Sequence, residues 1–370
     1  MPSKTIEEIQ ALVVDGDITA ITLDTSIFDQ FECNLGYKSL TALKQFKDTG
    51  IKVLFTPITM GEVKAHIATA AKEKAGKLTA AINQFDKAWR KALDQPAIAA
   101  QLGLDNDPAA RADELVGAFL KEVGAELIPL EDNVSIDDLV DLYFAGKAPF
   151  SEKEDKKNEF PDAIALLALE SWADDNGTVL IISRDGDWQA FADTSSNLIC
   201  VKDLPKGLDL FNGDSRVMAA KVVDDLRNGQ SPKLHHQIKR ALEYFAEDFT
   251  IEAFAAHFYD EEIQGAEVRS WEVQAGNVNV VASDDDTFTV LIAVDAEIEF
   301  NAHFSFYHYD GVDRDYVPLG GTNVSTTKSE QIQVAIAVDR NDLDDPEPVE
   351  VEVETSLLTV YIGEVEPDWA

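Results

Sequence analysis

Three short apolar runs constrain this chain most: ITL at 21–23, cut off by Asp24, IKVLFTP at 51–57 and TVLIIS at 178–183. Continuous Ile, Leu and Val without polar alternation is the pattern of strands buried on both faces. The stretches between these runs read as helices. One follows the first run to about residue 49 and closes at Gly50. Pro57 bars continuation of the second strand, and Thr59 can cap a helix beginning near MGEVKAHI, with Glu62 three residues on as in a capping box. From about 62 to 125, residues rich in Ala, Lys, Leu and Gln predict helices broken near Gln95-Pro96 and Asp107-Pro108. AELIPL (125–130) predicts a third strand, SIDDLVDLYFAG (135–146) a helix, APFSEKEDKKNEF (148–160) a loop, and PDAIALLALESWADDNG a helix from Pro161 to Gly177. NLICVKDL (197–204) adds another strand. This alternation argues for an α/β sandwich around a mostly parallel sheet, in which ligands bind beyond the carboxyl ends of the strands.

Past about residue 210 the period changes. A helical stretch leads into segments that alternate with period two, among them TFTVLIAV, EIEFNAHFSFYHYD, QIQVAIAV and LLTVYIGEV, with turn clusters at Asp284-Asp285-Asp286 and Gly320-Gly321. Such alternation predicts a predominantly antiparallel C-terminal domain. The expected organisation is therefore residues 1–205 with a helical insertion at about 72–125, a helical linker or subdomain at 206–260, and an acidic β-rich domain at 261–370.

Charge narrows the partners. The net charge is −38, and residues 251–370 alone hold 4 basic against 27 acidic side chains, so phosphates would be repelled there. Residues 51–100 reverse the balance, with 8 basic and 4 acidic side chains, and provide the basic face on which a polyanion could lie. Adaptation to salt or a basic protein partner would also explain the acidity. Cys33 and Cys200 allow at most one disulfide, and no Cys–His cluster has zinc-site spacing, which removes disulfide scaffolds and zinc fingers. No apolar run is long enough for a transmembrane helix and MPSKTIEEIQ lacks a signal-peptide pattern, so a cytoplasmic location without a membrane partner is expected.

Five carboxylates lie where a strand ends or a helix begins: Asp24, Glu62, Asp162, Asp185 and Asp187. Converging carboxylates repel one another and take up protons or a cation, and Mg²⁺ or Mn²⁺ suits oxygen ligands. Taken singly, Asp162 also reads as a helix-dipole stabiliser, Glu62 as a capping residue, and Asp185 and Asp187 as turn formers.

The segments LDTSIF, TPITMGEVKAHI, EFPDAIALLAL and VLIISRDGDW resemble the PIN domain nucleases, over residues of about 20–205. The last resembles their Thr/Ser-x-Asp-x-Asp-aromatic signature, with Ser183, Asp185, Asp187 and Trp188. APFSEKEDKKNEFPDAI is similar to a bacterial subgroup once described by a domain of unknown function. The resemblance implies a three-layer α/β/α sandwich and a metal-dependent ribonuclease. In it Asp24, Glu62, Asp162 and Asp185 would hold Mg²⁺ or Mn²⁺, Asp187 would support them, and Ser26 would lie beside the site. Lys64, Lys72, Lys74, Lys156, Lys157 and Arg184 are the expected contacts for RNA phosphates. A toxin or defence nuclease would fit such a chain. The alternative is a catalytically silent PIN fold whose acidic β domain binds a protein partner or a second copy. A haloacid-dehalogenase phosphatase would need an Asp where Ser26 stands, and neither a P-loop nor a GxSxG elbow occurs.

Overall fold

The computed structural model describes residues 4–89, 93–150, 159–274, 276, 278–311 and 315–368. The chain divides into two compact units, Met1–Phe211 and Asn212–Ala370.

In the N-terminal unit the order begins α1 (Ile6–Asp15), β1 (Ile18–Leu23), α2 (Thr25–Gln30), α3 (Lys38–Thr41), β2 (Lys52–Phe55) and α4 (Pro57–Trp89). It continues with α5 (Gln95–Leu102), α6 (Pro108–Val123), β3 (Glu126–Leu127), α7 (Leu130–Asn133), α8 (Ile136–Ala145) and α9 (Phe160–Asn176). The unit closes with β4 (Thr178–Ile182), α10 (Gly186–Ala192), β5 (Leu198–Val201) and α11 (Leu204–Asp209). The strands form a five-stranded sheet in the order β3-β2-β1-β4-β5, and every pair is parallel.

Alternation along β4 shows how the layers are built. Val179 and Ile181 pack with Ala165, Leu166 and Leu169 of α9 and Trp188 of α10. Ile182 points the other way, where a Cβ on Gly207 of α11 would come within 2.4 Å of its Cδ1. The rings of Phe28, Phe55 and Phe119 bring α2 and α6 to β2, with Phe28 and Phe55 centroids 5.8 Å apart. The sheet is thus covered by helices on both faces, which is why its strands read as unbroken apolar runs. The expected helix breaks at Gln95-Pro96 and Asp107-Pro108 coincide with the starts of α5 and α6, where Asp94 and Asp107 accept from Ala97 and Ala109 N–H groups.

The C-terminal unit holds α12 (Arg216–Arg227), α13 (Pro232–Ala246), β6 (Phe249–Phe254), β7 (Phe258–Val273), β8 (Asn279–Ser283), β9 (Thr287–Asp310), β10 (Asp315–Asp339), β11 (Glu350–Val353) and β12 (Leu358–Glu364). The main sheet runs β11-β10-β9-β7, with β8 also on β9, and all its pairs are antiparallel; β6 and β12 form a separate parallel pair. On β9 every second residue from Phe288 to Phe306 is buried. That face is covered by Leu234, Ile238 and Leu242 of α13 and by Val222, Val223 and Leu226 of α12. Both helices are therefore part of this unit's own core.

Two local expectations change. TFTVLIAV and EIEFNAHFSFYHYD are one strand, because the outward positions stay polar through the junction and the period never slips. Gly320-Gly321 is not a turn but lies inside β10, beside a register shift between Pro318 and Gly320. There Gly320 has φ +119, which favours glycine, and a Cβ on Gly321 would come within 2.7 Å of the Phe304 carbonyl.

Candidate active site

Asp24, Glu62, Asp162 and Asp185 sit on four separate segments at the edge where the parallel strands end. Asp24 follows β1 directly, and its backbone N–H donates to the Ile182 carbonyl at 2.9 Å, tying the ends of β1 and β4 together. Its side chain is 4% exposed. There Oδ2 accepts from Ser26 Oγ at 2.5 Å and from Ser183 Oγ at 2.8 Å. Burial pushes the Asp24 carboxyl above its ordinary range, and the two hydroxyls act in the opposite sense.

Glu62 lies in the second turn of α4, where Oε2 accepts from Thr25 Oγ1 at 2.7 Å. The capping box expected at Thr59 does not form. Pro57 opens the helix one residue after Thr56, whose Oγ1 accepts from the Thr59 N–H at 3.1 Å. Glu62 is thereby left to face α2.

Asp162 occupies the first turn of α9, and its Oδ1 accepts from Trp188 Nε1 at 2.8 Å. Asp185 caps α10: its Oδ1 accepts from the Asp187 N–H at 2.7 Å, and its own N–H donates to Ser183 Oγ at 3.0 Å. Asp187 is half-buried in the first turn of α10. The capping reading of Asp185 and its place beside the other carboxylates therefore coexist.

Electrostatics shows how close these groups are. Burial is the main cause that pushes Asp162 up to about 7; the Trp188 hydrogen bond opposes it, and the charges of Asp24, Glu62 and Asp185 add to it. Asp24, Glu62 and Asp185 thus each act on Asp162 in the sense of neighbouring negative charges. All the donors are oxygens, which suits Mg²⁺ or Mn²⁺. A cation there would favour the charged form of Asp162, against the burial and the neighbouring charges that push its carboxyl up.

The expected phosphate contacts are not all gathered here. Arg184 is exposed and sits between Ser183 and Asp185, with its N–H on Ser26 Oγ at 3.1 Å. Ser26 thus both steadies Asp24 and fixes this turn. Lys64 pairs with Asp113 at 2.6 Å. Lys72 and Lys74 are exposed on α4, about 15 and 18 Å along the helix from Glu62 at 1.5 Å per residue. Lys156 and Lys157 lie outside the described residues.

Residues 21–188 match the family model of the PIN domain. The N-terminal unit is a PIN domain. The match runs from β1 to Trp188, so it contains all five carboxylates and ends on the residue that holds Asp162. PIN domains are generally nucleases and typically use divalent metals. The C-terminal unit lies outside the match. No curated protein and no solved structure matches the chain. Among the described residues, no helix is long and apolar enough to cross a membrane.

Sequence reasoning passed over Thr25 and gave Ser183 and Trp188 only as members of a signature, not as groups that orient this PIN site. Thr25 holds Glu62 and Ser183 holds Asp24 and Asp185, while Trp188, noted for its aromatic character, serves through its indole N–H. The run Asp24-Thr25-Ser26 was the available signal: two hydroxyls beside a strand-end acid can bond carboxylates. A further group, Asp29, Cys33 and His66, is joined only by the fold.

Proposed function

We propose that this PIN domain is a divalent-metal-dependent endoribonuclease. The observation that supports this reading best is the Ser183 hydroxyl, which donates to Asp24 and accepts from the Asp185 N–H, beside an Asp162 carboxyl on which Asp24, Glu62 and Asp185 also act. Asp24, Glu62, Asp162 and Asp185 would hold the ions, with Asp187 in support. Bound Mg²⁺ or Mn²⁺ would supply a water nucleophile at neutral pH and neutralise charge on the leaving oxygen. The chain's own contribution is orientation. Ser26, Ser183, Thr25 and Trp188 fix one carboxylate oxygen each or in pairs, so the acids need not reorganise during reaction. Arg184 would meet a substrate phosphate beside the site, and Lys72 and Lys74 a more distant stretch of the same strand.

The test is cleavage of labelled single-stranded RNA with Mg²⁺ or Mn²⁺ by wild type and by the Asp24→Asn, Asp162→Asn double variant. Wild type should cut, and chelator or the double substitution should abolish cutting. Absence of both cutting and metal binding in wild type would refute the proposal. Reversing Lys64, Lys72, Lys74 and Arg184 to Glu should weaken RNA binding and flatten its salt dependence while Mn²⁺ still binds.

A further inference from the structure

One helical turn beyond the Thr25–Glu62 pair, the same two helices meet again through different chemistry. Asp29 is four residues after Thr25, and His66 four after Glu62, so both pairs lie on the facing sides of α2 and α4. Asp29 Oδ1 is 2.7 Å from His66 Nδ1 and accepts from Cys33 Sγ at 3.5 Å. All three ligand atoms lie within 4.8 Å of one another. Cys33 reaches this position because the chain folds back after α2. Glu32 and Cys33 take left-handed φ values of 49° and 54°, and the Cys33 N–H returns to the Phe28 carbonyl at 2.8 Å.

We propose that Asp29, Cys33 and His66 form a second cation site, for a borderline transition-metal ion of the zinc class, that clamps α2 to α4 beside Glu62. The donor set is one sulfur, one nitrogen and one oxygen, which favours Zn²⁺ over the hard cations suited to the all-oxygen PIN site. The spacing also fits. A tetrahedral ion with metal–sulfur and metal–oxygen bonds of about 2.3 and 2.0 Å needs sulfur and oxygen about 3.5 Å apart. The Cys33–Asp29 distance already has that value, and the Asp29–His66 edge needs to open by about half an ångström. On binding, the Cys33 thiol gives its proton to solvent, neutral His66 presents the Nδ1 lone pair with its proton on Nε2, and Asp29 keeps its charge. A thiolate and a carboxylate then balance the dication. Asp29 and His66 side chains are 49% and 48% exposed, which leaves the fourth position open to water. The site lies outside the set Asp24, Glu62, Asp162 and Asp185, so it stands or falls independently of RNA cleavage.

Co²⁺ titration of the reduced full-length protein tests this, because thiolate–Co²⁺ ligation gives a near-ultraviolet charge-transfer band and tetrahedral Co²⁺ gives intense visible bands. Wild type, Cys200→Ser and the Asp24→Asn, Asp162→Asn variant should each show both, with saturation at one equivalent and displacement by Zn²⁺. His66→Ala, a change at an exposed position, should weaken binding by on the order of 100-fold, and Cys33→Ser should remove the charge-transfer band. In the same samples Zn²⁺ should raise the unfolding midpoint of wild type but not of His66→Ala. A wild type without the thiolate band, or a band that persists in Cys33→Ser or at unchanged affinity in His66→Ala, would overturn the assignment.

Discussion

Replacing Asp162 by Asn should stabilise the metal-free protein, and by an amount that depends on pH. In the folded chain the Asp162 carboxyl is pushed up to about 7 from an ordinary 3.8 by burial and by three neighbouring acids. Between those values the folded state holds a proton that the unfolded state has released, so stability falls as pH rises and the full loss is reached above about pH 7. At about 1.4 kcal/mol per pH unit the interval corresponds to a ceiling of about 4 kcal/mol. Asp162 is only partly buried, so this is an upper bound, of which about 2 kcal/mol accrues between pH 5 and pH 8. Asn keeps an oxygen to accept from Trp188 Nε1 but carries no charge. The assay is urea unfolding with chelator present, from pH 5 to 8, with hydrogen exchange in β1 and β4 reporting on the N-terminal unit. The variant's advantage should grow by about 2 kcal/mol from pH 5 to pH 8. If Asp162 holds the ion as proposed, added Mn²⁺ should reverse the order, since it would stabilise the wild type more than the variant. A difference that is flat across this range, or that shrinks toward pH 8, would refute the electrostatic account.

Four other substitutions probe the frame. Ser183→Ala removes a buried hydroxyl that donates to Asp24 and accepts from the Asp185 N–H. It should cost about 1–3 kcal/mol of stability in urea unfolding and weaken Mn²⁺ binding measured by calorimetry. Gly177→Ala combines a φ of +110° with a Cβ 2.7 Å from Thr19 Cγ2, and should cost about 1–3 kcal/mol, whereas Gly16→Ala, at φ +77° in open space, should cost about 1 kcal/mol, both read by thermal unfolding. Leu242→Ala should cost the C-terminal unit about 2–5 kcal/mol, because this fully buried side chain of α13 belongs to the core of the β sheet. A cost below 1 kcal/mol in exchange-detected unfolding would show α13 to be a loosely attached linker.

Much of the PIN fold was legible because burial on both faces leaves a local trace. VLF (53–55) and VLII (179–182) are buried at successive positions, and Asp24, Pro57 and the Ser183-Arg184-Asp185 turn mark where β1, β2 and β4 end. Likewise the period of two along 287–310 followed directly from one covered and one wetted face. Less legible was strand length. Two segments merge into β9, and Gly320-Gly321 bulges inside β10 although it carries every local mark of a turn. Glycine permits both outcomes, and the antiparallel partner decides between them.

The sequence by itself determined which acids stand at strand ends and helix starts, because hydrophobic period, proline and helix caps are local properties. Only the tertiary structure decided that Glu62 faces Thr25 instead of capping its own helix, since the choice depends on where α2 lies across from α4. It alone brought Trp188 to Asp162, 26 residues away, and His66 to Asp29, 37 residues away. Contacts of that separation leave no spacing in the sequence. Their geometry is set by helices docking on a sheet, and it is that docking which buries Asp162 among other acids and so pushes its carboxyl up.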